Sequence, residues 1–327
     1  MQDIFFSAGY GKLNEIVEDG LFEVFNFKCE FGEVMHGFIK RKINIILEDG
    51  LTYYDIVTPY GYGGPLIVNS NNREKLIEAY FREFSEYCSD KLIVSEFIRF
   101  HLFDNTEIRE HYYGETTLIS VNIIRDFKNT LYEIWMEFEP KVRKNVKRAI
   151  SKNLKITIDT TGAFLPDFLN IFYSTMDRNK AGRYYYFPEQ YFKDLNTSLK
   201  DHYIYFHVTL DDKIISTELV LYSEKYAYSF LGGTFAEYYD YRPNDYLKFE
   251  IIKWCKETEK ELFILGGGTS IDDGITRYKR SFAPSGSAEF FIGKKIHNIN
   301  IYNMLVEKRS HQHEFNINTR YFPIYRG

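Results

Sequence analysis

Three glycines at the end of an apolar strand, followed by cationic residues, are the most informative chemical feature of the sequence. Leu265-Gly266-Gly267-Gly268 comes first, Asp272-Asp273-Gly274 follows, and Arg277-Tyr278-Lys279-Arg280-Ser281-Phe282 comes last. Glycine lets a ligand approach the backbone closely, and a nearby lysine can stabilise a phosphate or a developing oxyanion. A tight turn with a solvated lysine is the alternative interpretation, and it stays open at this point.

A segment rich in lysine and arginine is the second candidate for binding a charged ligand. A helix is predicted over residues 141–152, and four of its basic side chains are candidates to bind tRNA or another phosphate: Lys141, Lys144, Lys147 and Arg148. The apolar residues expected beneath them, which make an ordinary solvated helix face equally compatible, are Val142, Val146, Ala149 and Ile150. The net charge of −5 argues against a general nucleic-acid binder but allows one local basic groove.

A pattern of predicted elements occurs twice along the chain, and the glycine run begins where the second copy ends. The first copy runs from about Phe22 to Phe100 and the second from about Tyr203 to Leu265. Each copy reads as a β-hairpin, a strand, a glycine-containing turn, a helix and a closing strand. A repeat of this size indicates two copies of one α/β fold, and 327 residues suffice for two cores.

The order of elements resembles the acetyltransferase (GNAT) fold, in which a helix N-terminus and backbone N–H groups cradle a pyrophosphate. Enzymes of this superfamily that use acetyl-CoA show an Arg/Gln-x-x-Gly-x-Gly/Ala turn there. This chain has Arg242-Pro243-Asn244-Asp245-Tyr246 in the second copy. Because the glycines that permit close backbone approach are missing, the turn disfavours acetyl-CoA.

Segments along nearly the whole chain resemble the Fem peptidyltransferases, the tandem GNAT-fold enzymes of peptidoglycan bridge synthesis. The matching segments are Phe6-Ser7-Ala8-Gly9-Tyr10-Gly11-Lys12, Gly63-Gly64-Pro65, the helix from Lys141 to Ile150, Thr175-Met176-Asp177-Arg178, Tyr228-Ser229-Phe230-Leu231-Gly232-Gly233, Leu265-Gly266-Gly267-Gly268, Tyr278-Lys279-Arg280-Ser281-Phe282 and Phe291-Ile292-Gly293. The resemblance implies an α/β (α+β) fold with two tandem GNAT-like domains, each a mixed β-sheet flanked by helices. The predicted domains are residues 1–135, joined by the carboxy-terminal helix 300–327, and residues 136–299.

The resemblance implies transfer of an aminoacyl group from aminoacyl-tRNA to an amine of a cell-wall precursor. Tyr278 and Lys279 match the family's Phe-Lys pair near the tRNA acceptor end and are the catalytic candidates. Lys12 and Arg178 match residues that contact the diphosphate of the acceptor, Arg178 being one position out of register. The other substrate-binding candidates are Gly63, Gly64, His101, Gly232, Gly233, Gly267 and Gly268.

The implied reaction is direct attack by a neutral amine on an ester or thioester carbonyl, with no covalent enzyme intermediate. Backbone N–H groups near Gly232, or Lys279 itself, would stabilise the tetrahedral oxyanion. Two alternatives stay open. One is an acyl-CoA-dependent N-acyltransferase acting on a nucleotide sugar or polysaccharide precursor, and the other is a non-catalytic protein that holds a glycan or peptide precursor.

No metal or resident cofactor is expected. The eight histidines lack ligand spacing, and His311 and His313 are only two residues apart. The glycines of 61–64 are not followed by the Gly-Lys-Ser/Thr of a phosphate loop. Scattered cysteines (Cys29, Cys88 and Cys255), an amino terminus without a signal-peptide pattern and the lack of a long apolar run predict a cytoplasmic location, with peripheral membrane contact left open.

Overall fold

The computed structural model describes residues 2–268, 273–311, 315 and 321–327. They form two compact units. We call Phe5–Ile119 with Phe290–Gly327 the amino-terminal unit, and Met1–Ile4 with Ser120–Glu289 the central unit. The domain boundaries after residues 135 and 299 stay a prediction about autonomous folding.

The amino-terminal unit is a mixed sheet with one long helix against it. Its elements in chain order are α1 (Ala8–Leu13), α2 (Glu15–Glu18), β1 (Leu21–Cys29), β2 (Gly32–Lys42), β3 (Tyr54–Val57), β4 (Gly64–Ser70), α3 (Arg73–Asp90), β5 (Ile93–Arg99) and α4 (Thr106–Glu110). In the sheet β1, β2, β3 and β5 are successive neighbours, β4 also pairs with β2, and β3 and β5 are parallel. The side chain of Asn72 caps α3 by accepting from the Lys75 N–H at 3.2 Å.

The central unit repeats this arrangement with more helices. Its elements are β6 (Glu115–Asp126, which begins in the preceding unit), α5 (Leu131–Glu137), α6 (Pro140–Ser151), β7 (Lys155–Asp159), α7 (Leu165–Arg178), α8 (Glu189–Ser198), β8 (Tyr203–Leu210), β9 (Lys213–Tyr222), β10 (Tyr226–Thr234), α9 (Pro243–Glu257), β11 (Leu262–Gly266) and α10 (Gly274–Arg280). The sheet order is β6-β11-β10-β9-β8-β7, and β10 and β11 are parallel. After α10 come β12 (Ser287–Ile296), which pairs antiparallel with β5, and α11 (Ile299–Ser310).

The structure confirms the repeated module and the predicted fold class. In both units a hairpin leads to a strand, a helix and a closing parallel strand: β1-β2-β3-α3-β5 in one and β8-β9-β10-α9-β11 in the other. The apolar faces of α3 and α9 are largely buried, including Cys88 and Cys255. Both helices pack on their sheets because their apolar residues recur every three or four positions.

Several local predictions were wrong. Gly232 and Gly233 do not form a turn after β10 but lie within it, paired with Glu218 and Thr217 of β9. Gly64 opens a strand, β4, that no alternation of residues indicated. Ile150, predicted beneath the basic face of α6, is 51% exposed, whereas Val142, Val146 and Ala149 are buried as expected.

Candidate functional site

Helix α10 positions the two catalytic candidates. Asp273 caps it, accepting from the Thr276 N–H at 2.7 Å, and the first half of the acidic loop, Asp272, lies outside the described residues. Because consecutive helical residues point about 100° apart, Tyr278 and Lys279 reach different surroundings. The Tyr278 ring packs edge-on against Phe282 with the ring centroids 5.3 Å apart, whereas Lys279 extends to the end of β11.

Lys279 is a largely buried cation beside the glycine run. Its Nζ donates to the Gly267 carbonyl at 2.7 Å. Burial, with repulsion by Lys248, lowers the pKa of Lys279 to about 8. The carboxylates of Glu218 and Asp273 oppose this shift, so the side chain remains mostly protonated at neutral pH. Among the described residues Nζ makes one hydrogen bond, which leaves two of its N–H donors for a reacting oxygen.

A buried ion pair, Lys248 with Glu218, interacts electrostatically with Lys279. Lys248 donates to both carboxylate oxygens of Glu218, at 2.6 and 2.7 Å, and to the Ser229 hydroxyl at 2.9 Å. The side chains of Lys248 and Glu218 are 5% and 7% exposed. Besides burial, Lys248 lowers the pKa of Lys279 by charge repulsion, and the Glu218 carboxylate to which Lys248 is paired opposes this effect.

The glycines are explained by close approach. Gly266 has φ +85°, and a Cβ on it would lie 3.0 Å from Lys279 Nζ. A Cβ on Gly268 would lie 2.1 Å from an Asp273 carboxylate oxygen, and one on Gly233 would lie 2.2 Å from the Thr175 hydroxyl. At Gly232 the obstacle is the Thr217 carbonyl, at 2.5 Å. These glycines therefore have steric roles whether or not they also touch substrate.

A cavity of about 550 Å³ lies on the other side of α10, within the central unit. It is lined by the first turns of α6 and α9 and by α10: Glu139, Lys141, Val142, Asn145, Tyr239, Arg242, Pro243, Asn244, Asp245, Gly274, Arg277, Tyr278 and Ser281. The Tyr278 hydroxyl and Arg242 Nε are buried, and neither has a hydrogen-bond partner among the described residues. Such atoms are rare in folded proteins. Burial raises the pKa of the Tyr278 hydroxyl, so it can donate at neutral pH.

The turn that would cradle a pyrophosphate contains an acidic side chain of its own. Arg242 adopts the left-handed conformation, with φ 61°, just before α9. Asp245, in the first turn of α9, accepts from Asn145 Nδ2 at 3.2 Å. Burial raises the pKa of Asp245, while Asn145 and Arg242 oppose the shift. A carboxylate at this helix N-terminus takes the place where an anionic ligand would otherwise bind.

The candidate phosphate-binding side chains of α6 are exposed and begin at this cavity. We call Lys141, Lys144, Lys147 and Arg148 the basic stripe. Lys141 lines the cavity, and with a rise of 1.5 Å per residue the stripe extends about 10 Å along the helix. The basic stripe and Tyr278, which were separate candidates in the sequence, therefore meet at one cavity.

The remaining substrate-binding candidates occupy other places. His101 and Gly63 are brought together: the Gly63 carbonyl accepts from the His101 N–H at 3.1 Å, and His101 is 3% exposed. Gly64 has φ +91° and packs against Ile98. Lys12 is exposed on α1. Their roles in binding an acceptor stay predictions.

Arg178 lies at the end of α7 in the central unit. Its guanidinium donates to the Thr234 carbonyl at 3.2 Å and lies 5.3 Å from the centroid of the Tyr239 ring. Tyr239 in turn lines the cavity, so Arg178 is placed next to the candidate site. Its role toward a diphosphate stays a prediction.

Sequence reasoning missed Lys248, Glu218 and Asn145. Lys248 lies on the apolar face of α9, one turn before Ile251 and Ile252 and two turns before Cys255. Glu218 interrupts the apolar strand β9. A charged residue at a core position was thus the available signal, since such residues are seldom buried unless they are paired.

Within the described part of the chain, no group of three His, Cys, Asp or Glu side chains could hold a metal ion. His313, one of the two histidines considered above, lies outside that part. No helix among the described residues has the length and apolar character needed to cross a membrane.

Comparisons with known proteins agree with the geometry. Residues 140–280 match the acetyltransferase (GNAT) domain family. The crystal structure of FemX superposes with a TM-score of 0.70 at 12% identity, covering 92% of this chain and 94% of that one. The C-terminal domain of a putative lysylphosphatidylglycerol synthetase from Agrobacterium fabrum gives a TM-score of 0.56 at 12% identity, with 94% and 92% covered. The structure of L-PGS from Bacillus licheniformis gives a TM-score of 0.52 at 12% identity, covering 91% of this chain and 95% of that one. No curated protein sequence matches the chain significantly.

Proposed function

We propose that this protein, whose residues 140–280 match the acetyltransferase (GNAT) domain family and whose fold resembles that of FemX, transfers an aminoacyl group from aminoacyl-tRNA to an amine of a cell-envelope precursor. The observation that carries the proposal is Lys279, a largely buried cation whose Nζ lies at the glycine run after β11, next in sequence to Tyr278, which lines the cavity on the other side of α10. In the sequence resemblance, Tyr278-Lys279 corresponds to the Phe-Lys pair of the Fem family.

The reaction needs positioning and charge stabilisation rather than a covalent enzyme intermediate. The neutral amine attacks the ester carbonyl carbon, a C–N bond forms, and the carbonyl oxygen becomes an oxyanion. The Lys279 ammonium donates to that oxygen. When the ester C–O bond breaks, the ribose oxygen takes up a proton and the new amide nitrogen loses one. The products are an amide and a tRNA with a free terminal hydroxyl.

The preference for an RNA donor rests on the turn before α9 and on the basic stripe. The carboxylate of Asp245 opposes a pyrophosphate at this helix start, whereas the basic stripe offers successive cations to a phosphodiester backbone. The second candidate function, acyl transfer from acyl-CoA to a nucleotide sugar or polysaccharide precursor, is favoured by the match of residues 140–280 to an acetyltransferase domain.

Donor competition separates the two candidates. The purified protein is given radiolabelled aminoacyl-tRNA or acetyl-CoA, each with a peptidoglycan precursor and, separately, with a nucleotide sugar. We expect a labelled amide product only from aminoacyl-tRNA. Transfer from acetyl-CoA alone would overturn the proposed donor, and the identity of the labelled acceptor decides between the precursor classes.

A further inference from the structure

The guanidinium of Arg125, on β6 in the central unit, is buried and holds one backbone carbonyl. Arg125 is 4% exposed. Its Nε and Nη2 both donate to the Phe282 carbonyl, at 3.2 and 2.6 Å, while Nη1 donates to the Glu137 carboxylate. The other oxygen of that carboxylate accepts from Asn129 Nδ2 at 2.7 Å. Because burying an arginine is costly unless its donors are paired, these contacts fix the guanidinium in one place.

Phe282 connects this arginine to Lys279. It lies two residues beyond the end of α10, where helix carbonyls lack partners within the helix. The Phe282 N–H donates to the Lys279 carbonyl at 3.1 Å, and the Phe282 ring is fully buried, with its centroid 5.5 Å from that of Phe138. One residue therefore carries both the hydrogen bond to Lys279 and the hydrogen bonds from Arg125.

The short helix α10 depends on such anchors for its orientation. It has seven residues, and helices of this length are unstable on their own in water. At its start the Asp273 carboxylate accepts from the Thr276 N–H at 2.7 Å, which closes the first turn of the helix. Beyond its end Arg125 attaches the chain to β6, and the Ser281 carbonyl accepts from the Glu139 N–H at 3.0 Å, just before α6. The carboxy-terminal end of α10 is thus held from two sides.

Lys279 requires a precise placement of α10. Its Nζ donates to the Gly267 carbonyl at 2.7 Å, and a Cβ on Gly266 would lie only 3.0 Å from Nζ. A displacement of a functional group by about 1 Å can lower a reaction rate by about 10². Loosening of the helix would also let water reach the ammonium, and it is burial that lowers the pKa of Lys279 to about 8. The proton affinity of Lys279 therefore reports where α10 lies.

We propose that Arg125 is a positioning residue for Lys279: by holding the Phe282 carbonyl it fixes α10, and with it the ammonium, at the glycine run. The effect of Arg125 on the placement of Lys279 is independent of any reaction. Its effect on the rate rests on the proposed function, in which Lys279 donates to the reacting oxygen.

Titration of Lys279 by NMR tests the placement without a transfer reaction. The protein is labelled with lysine carrying ¹³C at Cε, and the Lys279 signal is the one that Lys279→Arg lacks. In the wild type we expect this signal to titrate near pH 8. In Arg125→Met, which removes both donors of Arg125 to the Phe282 carbonyl, the midpoint should rise by about one unit or more toward the 10.5 of a solvated lysine.

The transfer rate measures the consequence for catalysis. In single-turnover reactions with saturating aminoacyl-tRNA, Arg125→Met should lower the rate by about tenfold to a hundredfold. The affinity for the donor should stay nearly unchanged, because Arg125 is too buried to contact it. Arg125→Lys keeps the charge but loses the fork of two donors, so its midpoint and its rate should lie between those of the wild type and Arg125→Met.

Val208→Ala is the matched control for a loss of stability alone. Val208 is fully buried on β8, three places from β11 in the sheet. Truncating it should lower the melting temperature and leave the titration of Lys279 as in the wild type. Circular dichroism shows whether each variant is folded. If Arg125→Met is not, Arg125→Lys decides: a raised midpoint supports the proposal, and a wild-type midpoint overturns it.

A midpoint that stays near pH 8 in Arg125→Met overturns the proposal. A midpoint near 10.5 in the wild type, or one that Val208→Ala raises as much as Arg125→Met does, also overturns it. If the midpoint rises only in the Arg125 variants but the wild type transfers no aminoacyl group, Arg125 still positions Lys279 and the proposed function alone is refuted. A raised midpoint with an unchanged transfer rate refutes the catalytic role of Lys279 and leaves its placement by Arg125 intact.

Discussion

Replacing Lys279 by methionine should slow the reaction and stabilise the fold at the same time. The side chain is mostly buried, and the pKa of its ammonium is lowered from the usual 10.5 to about 8. A group whose pKa falls on folding binds its proton more weakly in the native state, so its charge destabilises the fold below pH 8. This penalty disappears as the pH rises toward 10.5.

The magnitude follows from the size of the shift. A difference of about 2.5 pKa units corresponds to roughly 3 kcal/mol at 1.36 kcal/mol per unit. Leaving the Gly267 carbonyl without its donor costs about 1–2 kcal/mol. Lys279→Met should therefore raise the free energy of unfolding at pH 7 by about 1–2 kcal/mol, and this gain should be absent at pH 10, where the remaining charge penalty is only about 1 kcal/mol. Loss of one oxyanion donor should lower kcat by about 10²–10³-fold.

Two assays on the same preparations measure these effects. Urea denaturation at pH 7 and pH 10 gives the free energy of unfolding, and single-turnover transfer from radiolabelled aminoacyl-tRNA gives the rate. Lys200→Met is the matched control, because Lys200 is exposed in the central unit; it should change neither quantity. An unchanged rate would refute the role of Lys279 at the reacting carbonyl, and a loss of more than 2 kcal/mol would show that its charge supports the fold.

Three further results are expected. Lys248→Met should destabilise the protein by about 3–5 kcal/mol in urea denaturation, because it leaves Glu218 buried and unpaired; adding Glu218→Gln should recover much of the loss, and no recovery would contradict the pairing. Changing Lys144, Lys147 and Arg148 of the basic stripe to glutamine should lower the slope of log affinity for RNA against log salt concentration by about two, without altering thermal stability. An unchanged slope would show that the RNA binds elsewhere. Burial lowers the pKa of His36 from 6.5 to about 4, so the unfolded state takes up a proton first as the pH falls. His36 should therefore contribute about 2 kcal/mol to the loss of stability between pH 7 and 5 in urea denaturation, and His36→Gln should reduce the loss by that amount, leaving the similar contribution of His207; a loss as large as that of the wild type would contradict this reasoning.

The order of elements was readable from the sequence because it depends on periodicity. The apolar stripes of α3 and α9 and the hairpins before them each lie within about 20 consecutive residues, so their local patterns were sufficient. Helix α10 was not predicted, because its seven residues are too few to show a helical period and three of its last four are basic. Strand β4 was not predicted, because Pro65 and two polar residues at its end hide any alternation of apolar and polar residues.

The candidate site was predicted in part. Tyr278 and Lys279 were identified from the family motif that contains them, and the structure adds why the neighbouring glycines are needed. The pairing of Lys248 with Glu218 could not be read from the sequence, since 30 residues separate them and only the packing of α9 on β9 brings them together. Asn145 and Asp245 are a hundred residues apart for the same reason.

By itself the sequence determined that the chain contains two copies of one α/β module and that the second copy has a lysine beside a glycine run. It could do so because composition, spacing and periodicity are properties of neighbouring residues. Only the tertiary structure decided that Lys279 is buried beside a second cation, that Tyr278 faces a cavity, and that the basic stripe begins at that cavity. Burial depends on residues that are distant along the chain, and it is burial that lowers the pKa of the lysine and leaves the tyrosine hydroxyl without a partner among the described residues.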